Sequence, residues 1–363
     1  MTTTHIWNWQ DPDWPNWRFD ADRLSHLEGK FLLQSGRLLG AWQHLAADTQ
    51  DQLKIDLLSD EALKTSEIEG EYLDRASVQS SVRRQFGMSV DRRAGPAEAG
   101  IAELMVACFQ GFDKPLTHDA LFDWHRLICS GRKDLKTIGA YRQHPEAMQV
   151  VSGPLQKPKV HFEAPPSAEM HAEMTTFLEW YKPTTLPPLT KAGLTHLYFV
   201  CIHPFEDGNG RIARALSEKA LAQALGQPSL LALSRQIEKQ RKQYYDALEA
   251  NNKTMEITDW LVWFAETALE AQAYSIALID HLIAKTKMMD RLRGLINARQ
   301  EKALIRVFEA GPEGFIGGLS AKNYMSITDS VPATARRDLA DLVSKGALTR
   351  TGERKGTRYH LAI

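Results

Sequence analysis

A histidine, two carboxylates, two glycines and two arginines fall within twelve residues, His203-Pro-Phe-Glu-Asp-Gly-Asn-Gly-Arg-Ile-Ala-Arg214. The imidazole of His203 has an ordinary pKa of about 6.5, which suits a general base near neutral pH. Gly208-Asn209-Gly210 bends freely and lets backbone N–H groups come close to an anion. The residues that follow, Arg211–Ala222, have good helix propensity. A glycine turn that enters a helix N-terminus is a phosphate site by geometry and by dipole. Arg211 and Arg214 are three apart and share roughly one helix face, where two guanidinium groups suit a polyphosphate.

Two other phosphate motifs fail here. Gly208-Asn-Gly-Arg-Ile-Ala213 also fits G-x-G-x-x-A, but that dinucleotide fingerprint needs a preceding strand in a parallel α/β sheet. The surrounding pattern is helical and shows no βαβ alternation. No G-x-x-x-x-G-K-[ST] occurs anywhere, so a P-loop is excluded.

The elements that must position this stretch read mainly as helices. Leu24, Leu27, Phe31, Leu32 and Leu39 recur at helical spacing, and Ile55, Leu57, Leu58, Leu63 and Ile68 continue it, with Gly70 as a stop. Residues 117–130, Met170–Tyr181 and Thr190–Cys201 are further helical segments. Between them, Gln149–Ser152 and Lys159–Glu163 read as a small hairpin around the Gly153-Pro154 turn. Residues 5–20 hold Trp7, Trp9, Trp14 and Trp17, with Pro12 and Pro15 forbidding a regular helix; an arm docking its aromatics on the body is expected. Near the end come a helix over Gln300–Ala310, a Gly311-Pro312-Glu313-Gly314 break, a helix over Pro332–Lys345 and a hairpin tail. That order is the outline of a winged helix-turn-helix.

Composition sets the frame. The chain has 363 residues, 43% hydrophobic and 25% charged, ordinary for a globular protein and unlike a disordered one. Net charge is −1, so the whole chain is no polybasic nucleic-acid binder. No apolar run reaches the ~18 residues of a membrane span, and no signal peptide is read at the N-terminus. Three widely spaced cysteines, Cys108, Cys129 and Cys201, fit neither a disulfide framework nor a zinc site and point to a reducing cytoplasm.

His203–Arg214 resembles the signature of the Fic family, HPFx[DE]GNGRxxR, at every defined position. Gly139-Ala-Tyr-Arg142, His125 and His196 resemble the family's supporting pattern, over about residues 115–265. The resemblance implies a mainly α protein: a Fic-type helical core with a β-hairpin flap, plus the C-terminal winged helix. Its expected parts are an N-terminal helical region over 1–110, a catalytic domain over 111–283 and a winged module over 284–363.

The resemblance implies transfer of AMP from ATP to a Ser, Thr or Tyr hydroxyl of a target protein, with Mg²⁺. His203 would be the base and Asp207 the metal ligand. The backbone of Gly208, Asn209 and Gly210 would form the anion hole, and Arg211 and Arg214 would pair the outer phosphates. Tyr244, Tyr245 and Asn252 resemble the adenosine-contacting segment. Val160, His161 and Phe162 resemble the flap that pairs with an extended target segment. Phe205 is expected in the core and Glu206 in solvent.

Upstream, Thr65 and Glu69 lie four apart on one helix face, followed by Gly70. They resemble the family's inhibitory motif [ST]xxxE[GN], whose Glu pairs with the second signature arginine, here Arg214. Removal of AMP by the same site, transfer of another nucleotide or of phosphocholine, self-modification and a homodimer stay open. So does a nucleotide-sensing transcription regulator. Between Val331 and Ile363 the cations are Arg336, Arg337, Lys345, Arg350, Arg354, Lys355 and Arg358, and the acids are Asp338, Asp341 and Glu353, a locally basic stretch that suits DNA phosphates.

Overall fold

A computed structural model describes residues 7–90, 92–154, 158–182, 184–315 and 317–363, with the side chain of Lys355 outside that description. Leu155–Lys157, within the stretch read from the sequence as a hairpin, and the first six residues, which include the start of the Trp-rich arm, therefore lie outside the described residues.

Among the described residues the fold is helical with two small hairpins. The order is α1 (Ala21–Gln43), α2 (Ala47–Ile68), α3 (Arg75–Gln85), α4 (Pro96–Gln110), α5 (His118–Ile128), β1 (Gln149–Ser152), β2 (Lys159–Glu163), α6 (Met170–Tyr181), α7 (Pro188–Ile202) and α8 (Asn209–Leu225). Then follow α9 (Leu233–Lys239), α10 (Arg241–Asn251), α11 (Thr258–Leu292), α12 (Ala298–Phe308), α13 (Ala321–Thr328), α14 (Pro332–Ser344), β3 (Leu348–Thr351) and β4 (Arg358–Leu361). No described helix is long and apolar enough to cross a membrane.

The chain divides into two compact units, residues 1–39 with 50–274, and residues 40–49 with 275–363. In the first unit α7 is the central element. It is buried along almost its whole length, from Leu189 to Ile202, because its sequence is apolar all round. Even its polar positions are satisfied internally: the buried Glu28 of α1 accepts the N–H groups of Leu189 and Thr190 at the α7 N-terminus. A carboxylate there meets the positive end of the helix dipole.

The Trp-rich arm runs over this core. Two prolines keep it from continuous helix, and only Asn8–Gln10 forms a 3₁₀ turn. Trp7 packs edge-on against Phe162 of β2 at 5.4 Å. Trp14 and Trp17 both meet Tyr198 of α7, at 5.2 and 5.0 Å. The Trp9 indole N–H donates to the Glu163 carbonyl. The arm thus ties the flap hairpin to the central helix. Such edge-to-face ring pairs add roughly 0.5–1.5 kcal/mol each beyond burial.

β1 and β2 pair antiparallel, with a register irregularity between Val150 and Val151. In the second unit, α12, α13 and α14 enclose a separate core of Leu304, Val307, Leu339 and Leu342. β3 and β4 pair antiparallel, and Leu319 bridges Tyr359 beside them.

Candidate active site

α7 ends at His203 because that residue turns left-handed, with φ of 52°. A non-glycine residue rarely adopts this conformation, so its surroundings must hold it there. Arg142 does so: its Nε donates to the His203 carbonyl at 2.9 Å, and its main-chain N–H donates to the Pro204 carbonyl. Arg142 is almost wholly buried, and a further guanidinium N–H donates to the Pro165 carbonyl just after β2. Burial without a carboxylate partner pulls its pKa down to about 10. One buried cation therefore fixes both the His203 turn and the base of the flap.

His203 is half-buried. Burial, helped by the Arg142 charge, lowers its pKa to about 4 against the opposing pull of the Val200 carbonyl, Glu69 and Asp207. The ring is neutral at physiological pH. Its Nδ1 lies 3.3 Å from the Val200 carbonyl, which assigns the Nδ1–H tautomer and leaves the Nε2 lone pair open.

The turn after His203 is braced from inside. The Asn209 side chain accepts from the Phe205 N–H and donates to the Phe205 carbonyl, so it is spent on the loop itself. The anion-hole role expected of Asn209 is one for its backbone, and its main-chain N–H stays available for it. Phe205 is fully buried and stacks at 4.2 Å on His125, whose Nδ1 accepts the Gly139 N–H. Glu206, expected in solvent, is half-buried and accepts the Lys136 N–H. Gly208 takes φ of +83°, and a Cβ there would sit 2.3 Å from Ile128 Cδ1. Only glycine meets both demands. No side chain caps the N-terminus of α8, so its first-turn N–H groups stay open to an anion.

The arginines of α8 are buried and already paired. Arg214 is fully buried; its Nη2 meets Glu69 Oε1 at 2.7 Å and the Thr65 carbonyl at 2.9 Å, while its Nε donates to Thr65 Oγ1 at 2.7 Å. Its Nη1 is buried with no hydrogen-bond partner and lies near Gly210. A Cβ on Gly210 would sit 2.3 Å from Glu69 Oε1, so the Glu69 carboxylate rests against the glycine turn itself. Gly70, at φ of +84°, ends the α2 segment beyond Glu69.

Arg211 meets Glu71 Oε2 at 2.9 Å. Asp207 Oδ2 meets Arg132 at 2.7 Å, and its Oδ1 lies 3.5 Å from Arg211. Burial would raise the Asp207 pKa, but Arg211, the Gly208 N–H and Arg132 outweigh it and hold the carboxylate ionised.

A cavity of about 410 Å³ opens beside His203. That size suits a small ligand. Glu69, His203, Gly210, Tyr244, Tyr245 and Asn252 line it, together with His161 and Phe162 of β2 and Val150 and Val151 of β1. Tyr244 is buried, and its hydroxyl pairs with His196 Nε2, so it is a wall residue. Tyr245 is partly exposed, and its hydroxyl donates to the Ile68 carbonyl at the end of α2. The Asn252 amide donates to the His161 carbonyl, while its Oδ1 is buried without a partner. Phe162 turns inward under Trp7, and His161 is engaged by Glu249 and Ser152. Val160 does not line the cavity; exposed Val151 of β1 does.

Sequence reasoning missed Arg132, Arg142 as the holder of His203, Glu71 and the exposed valines. Spacing could not reveal the partners, because Arg132–Asp207 and Glu71–Arg211 join residues 75 and 140 positions apart. Val150 and Val151 carried a usable signal, two adjacent apolar residues in a two-stranded ribbon with no sheet behind it.

These features define a class. Residues 115–221 match the Fic/DOC family. Residues 7–88 match a domain of unknown function, DUF4172. The chain is 31% identical over 141 residues to a protein adenylyltransferase Fic of Nematostella vectensis, covering 38% of this chain and 29% of that one. It is 33% identical over 137 residues to the protein of the same name from Aedes aegypti, covering 36% and 26%. The matched stretch thus spans less than a third of either relative. A crystallised Fic family protein from Desulfovibrio desulfuricans G20 has the same fold, with a TM-score of 0.54 and 20% identity over 92% of this chain and 95% of that one.

Proposed function

We propose that the chain is a protein adenylyltransferase that moves AMP from ATP to a Ser, Thr or Tyr hydroxyl, restrained by its own Glu69. One observation carries this reading: a neutral His203 with an open Nε2 faces a nucleoside-sized cavity beside an uncapped helix N-terminus and two buried arginines. His203 Nε2 takes the proton of the target hydroxyl as that oxygen bonds to the α-phosphorus. The bond from the α-phosphorus to the bridging oxygen breaks, and pyrophosphate leaves. Positioning and fixed charge do most of the work in such transfers.

Each remaining group has a part. The open N–H groups of Asn209 and Gly210 and the orphaned Arg214 Nη1 fit phosphate oxygens. The orphaned Asn252 Oδ1 fits the exocyclic amine of adenine, and Tyr245 offers a ring. An extended target strand pairs with the flap, its side chain directed past Val150 and Val151.

Asp207 fits a Mg²⁺ ligand. It is a single ionised carboxylate beside the phosphate turn, and Mg²⁺ commonly takes one or two carboxylates with the rest from phosphates and water. No group of three or more metal-ligating side chains occurs among the described residues, so the substrate's oxygens would supply the other ligands. Mg²⁺ held there would draw negative charge off the departing pyrophosphate. Arg132 would have to yield the Asp207 oxygen it now holds.

The restraint follows from charge competition. The Glu69 carboxylate occupies Arg214 and abuts Gly210, the place of an outer phosphate. Glu71 does the same at Arg211. A second reading, release of AMP from a modified protein by water, is favoured by Glu69 lining the same cavity as His203. The test is mass spectrometry of the chain, and of Ser-, Thr- and Tyr-containing peptides, after incubation with ATP and Mg²⁺. AMP adducts that vanish in His203→Ala support transfer; ATP turnover with no adduct, under conditions where ATP binds, contradicts it.

A further inference from the structure

The second compact unit holds a groove that the Fic chemistry does not use. It has a volume of about 830 Å³ and runs between α13, α14 and the β3–β4 hairpin. Its cations come from all of these elements: Lys322 on α13, Arg336 on α14, Arg350 on β3, Arg354 in the hairpin turn and Arg358 on β4. No acidic residue is among its lining. Lys322, Arg336, Arg350 and Arg354 are exposed.

The nearby acids are placed elsewhere. Asp338 is buried and accepts from the Tyr324 hydroxyl and Arg299, and Asp341 accepts from Gln300 and Lys345, so neither lines the groove; exposed Glu353 precedes Arg354 in the hairpin turn and is not in the lining either. A groove lined by five cations and no acid is the arrangement expected for a polyanion. Self-repulsion among the four exposed cations costs stability unless a partner offsets it.

We infer that this groove binds the phosphate backbone of double-stranded DNA, with α14 entering the major groove and the β3–β4 hairpin tracking the adjacent strand. The shape favours a duplex. α14 has 13 residues, and its exposed face carries Arg336 next to Ala340, one turn on, whose small side chain leaves space. B-DNA admits a helix into its major groove, about 12 Å wide, whereas the deep major groove of A-form RNA does not. Tyr359 is the one aromatic residue in the lining, which is no stacking platform for single strands. Helix α14 begins at Pro332 with no side-chain cap, so its first-turn N–H groups add phosphate donors to the cations.

The test uses the full chain and a labelled mixed-sequence duplex, read by fluorescence anisotropy across salt. Five phosphate contacts give a log–log slope of about −4.5, so raising salt from 50 to 200 mM weakens binding about 500-fold. Arg336→Glu/Arg350→Glu abolishes binding at 50 mM salt, while Arg336→Lys/Arg350→Lys keeps most of it. Arg306→Ala, on α12 outside the groove, leaves it unchanged. Should the charge reversal unfold the unit, Lys322→Ala/Arg354→Ala reads the same groove and lowers the slope by about 1.8. Absence of duplex binding at 50 mM salt overturns the inference. So do binding that survives in folded groove variants, and equal affinity for single-stranded DNA or RNA. The readout is independent of AMP transfer, so it can fail or succeed without the proposed enzyme activity.

Discussion

His203 sets the pH behaviour expected of the chain. Its folded pKa is lowered to about 4, below the ordinary 6.5. The base is lost only as pH falls through the lower value. Transfer by an active variant should therefore stay level from about pH 8 to about pH 6 and lose its acid limb near 4–5. A limb centred on 6.5 would show a solvated imidazole and contradict the burial. The Glu71–Arg211 pair makes a second prediction at this scale. Glu71→Gln should raise ATP affinity several-fold, and more so when Glu69 is already replaced, because each carboxylate occupies a different arginine. Isothermal calorimetry of the four-member set measures it; equal affinity across the set would show that Glu71 does not compete.

The elements carry the strain and the restraint. Gly208 needs left-handed φ and has Ile128 where a Cβ would go. Gly208→Ala should cost at least about 1–2 kcal/mol from the backbone alone, and chemical denaturation should show it. Helix α2 brings a second titrating device. Glu61, two turns before Glu69, is buried and accepts the Ser234 N–H at the start of α9; burial raises its pKa against the pull of Ser234 and Arg214. Glu218 of α8 is likewise raised by burial, with Glu61 adding to it. For an acid with a raised folded pKa, the folded state holds its proton longer than the unfolded state. Stability is therefore lost as pH rises from about 4.5 to about 7. Glu61→Gln should flatten that fall in Tm. An unchanged pH dependence would place its source elsewhere.

Much of this was legible at the level of elements. Gln149–Ser152, Lys159–Glu163 and Met170–Tyr181 fall where the sequence placed them, because proline and glycine punctuate each one. Helical periodicity also placed α2 and α7. What periodicity does not encode is partnership across the chain. Thr65 and Glu69 could be read as sharing a face, but that Arg214 reaches both is a tertiary fact. That the Asn209 side chain closes its own loop, while its backbone N–H stays open, was equally out of reach of spacing. That the Phe162 ring packs under Trp7 while also lining the cavity is likewise a contact that no spacing shows.

At the scale of the molecule, two separate apolar cores stand behind the two compact units. The site residues of the Fic signature, the Glu69 segment and the flap all belong to the first unit; the basic groove belongs to the second. Ligand linkage then predicts a selective effect. ATP at 100 times its Kd stabilises the species that binds it by about 2.7 kcal/mol. Calorimetric scans of Glu69→Gly should show two transitions, and ATP should raise only one. A single transition that moves as a whole would mean that the two units unfold together.

AMP transfer by His203, held down by Glu69, is read most directly as Mg²⁺-dependent incorporation of α-labelled ATP into purified wild type, Glu69→Gly and Glu69→Gly/His203→Ala, with self-modification as the readout. Strong label on Glu69→Gly, little on wild type and none on the double variant is the predicted result. Label on folded, ATP-binding Glu69→Gly no greater than on wild type would contradict the restraint, and label surviving in the double variant would contradict the base.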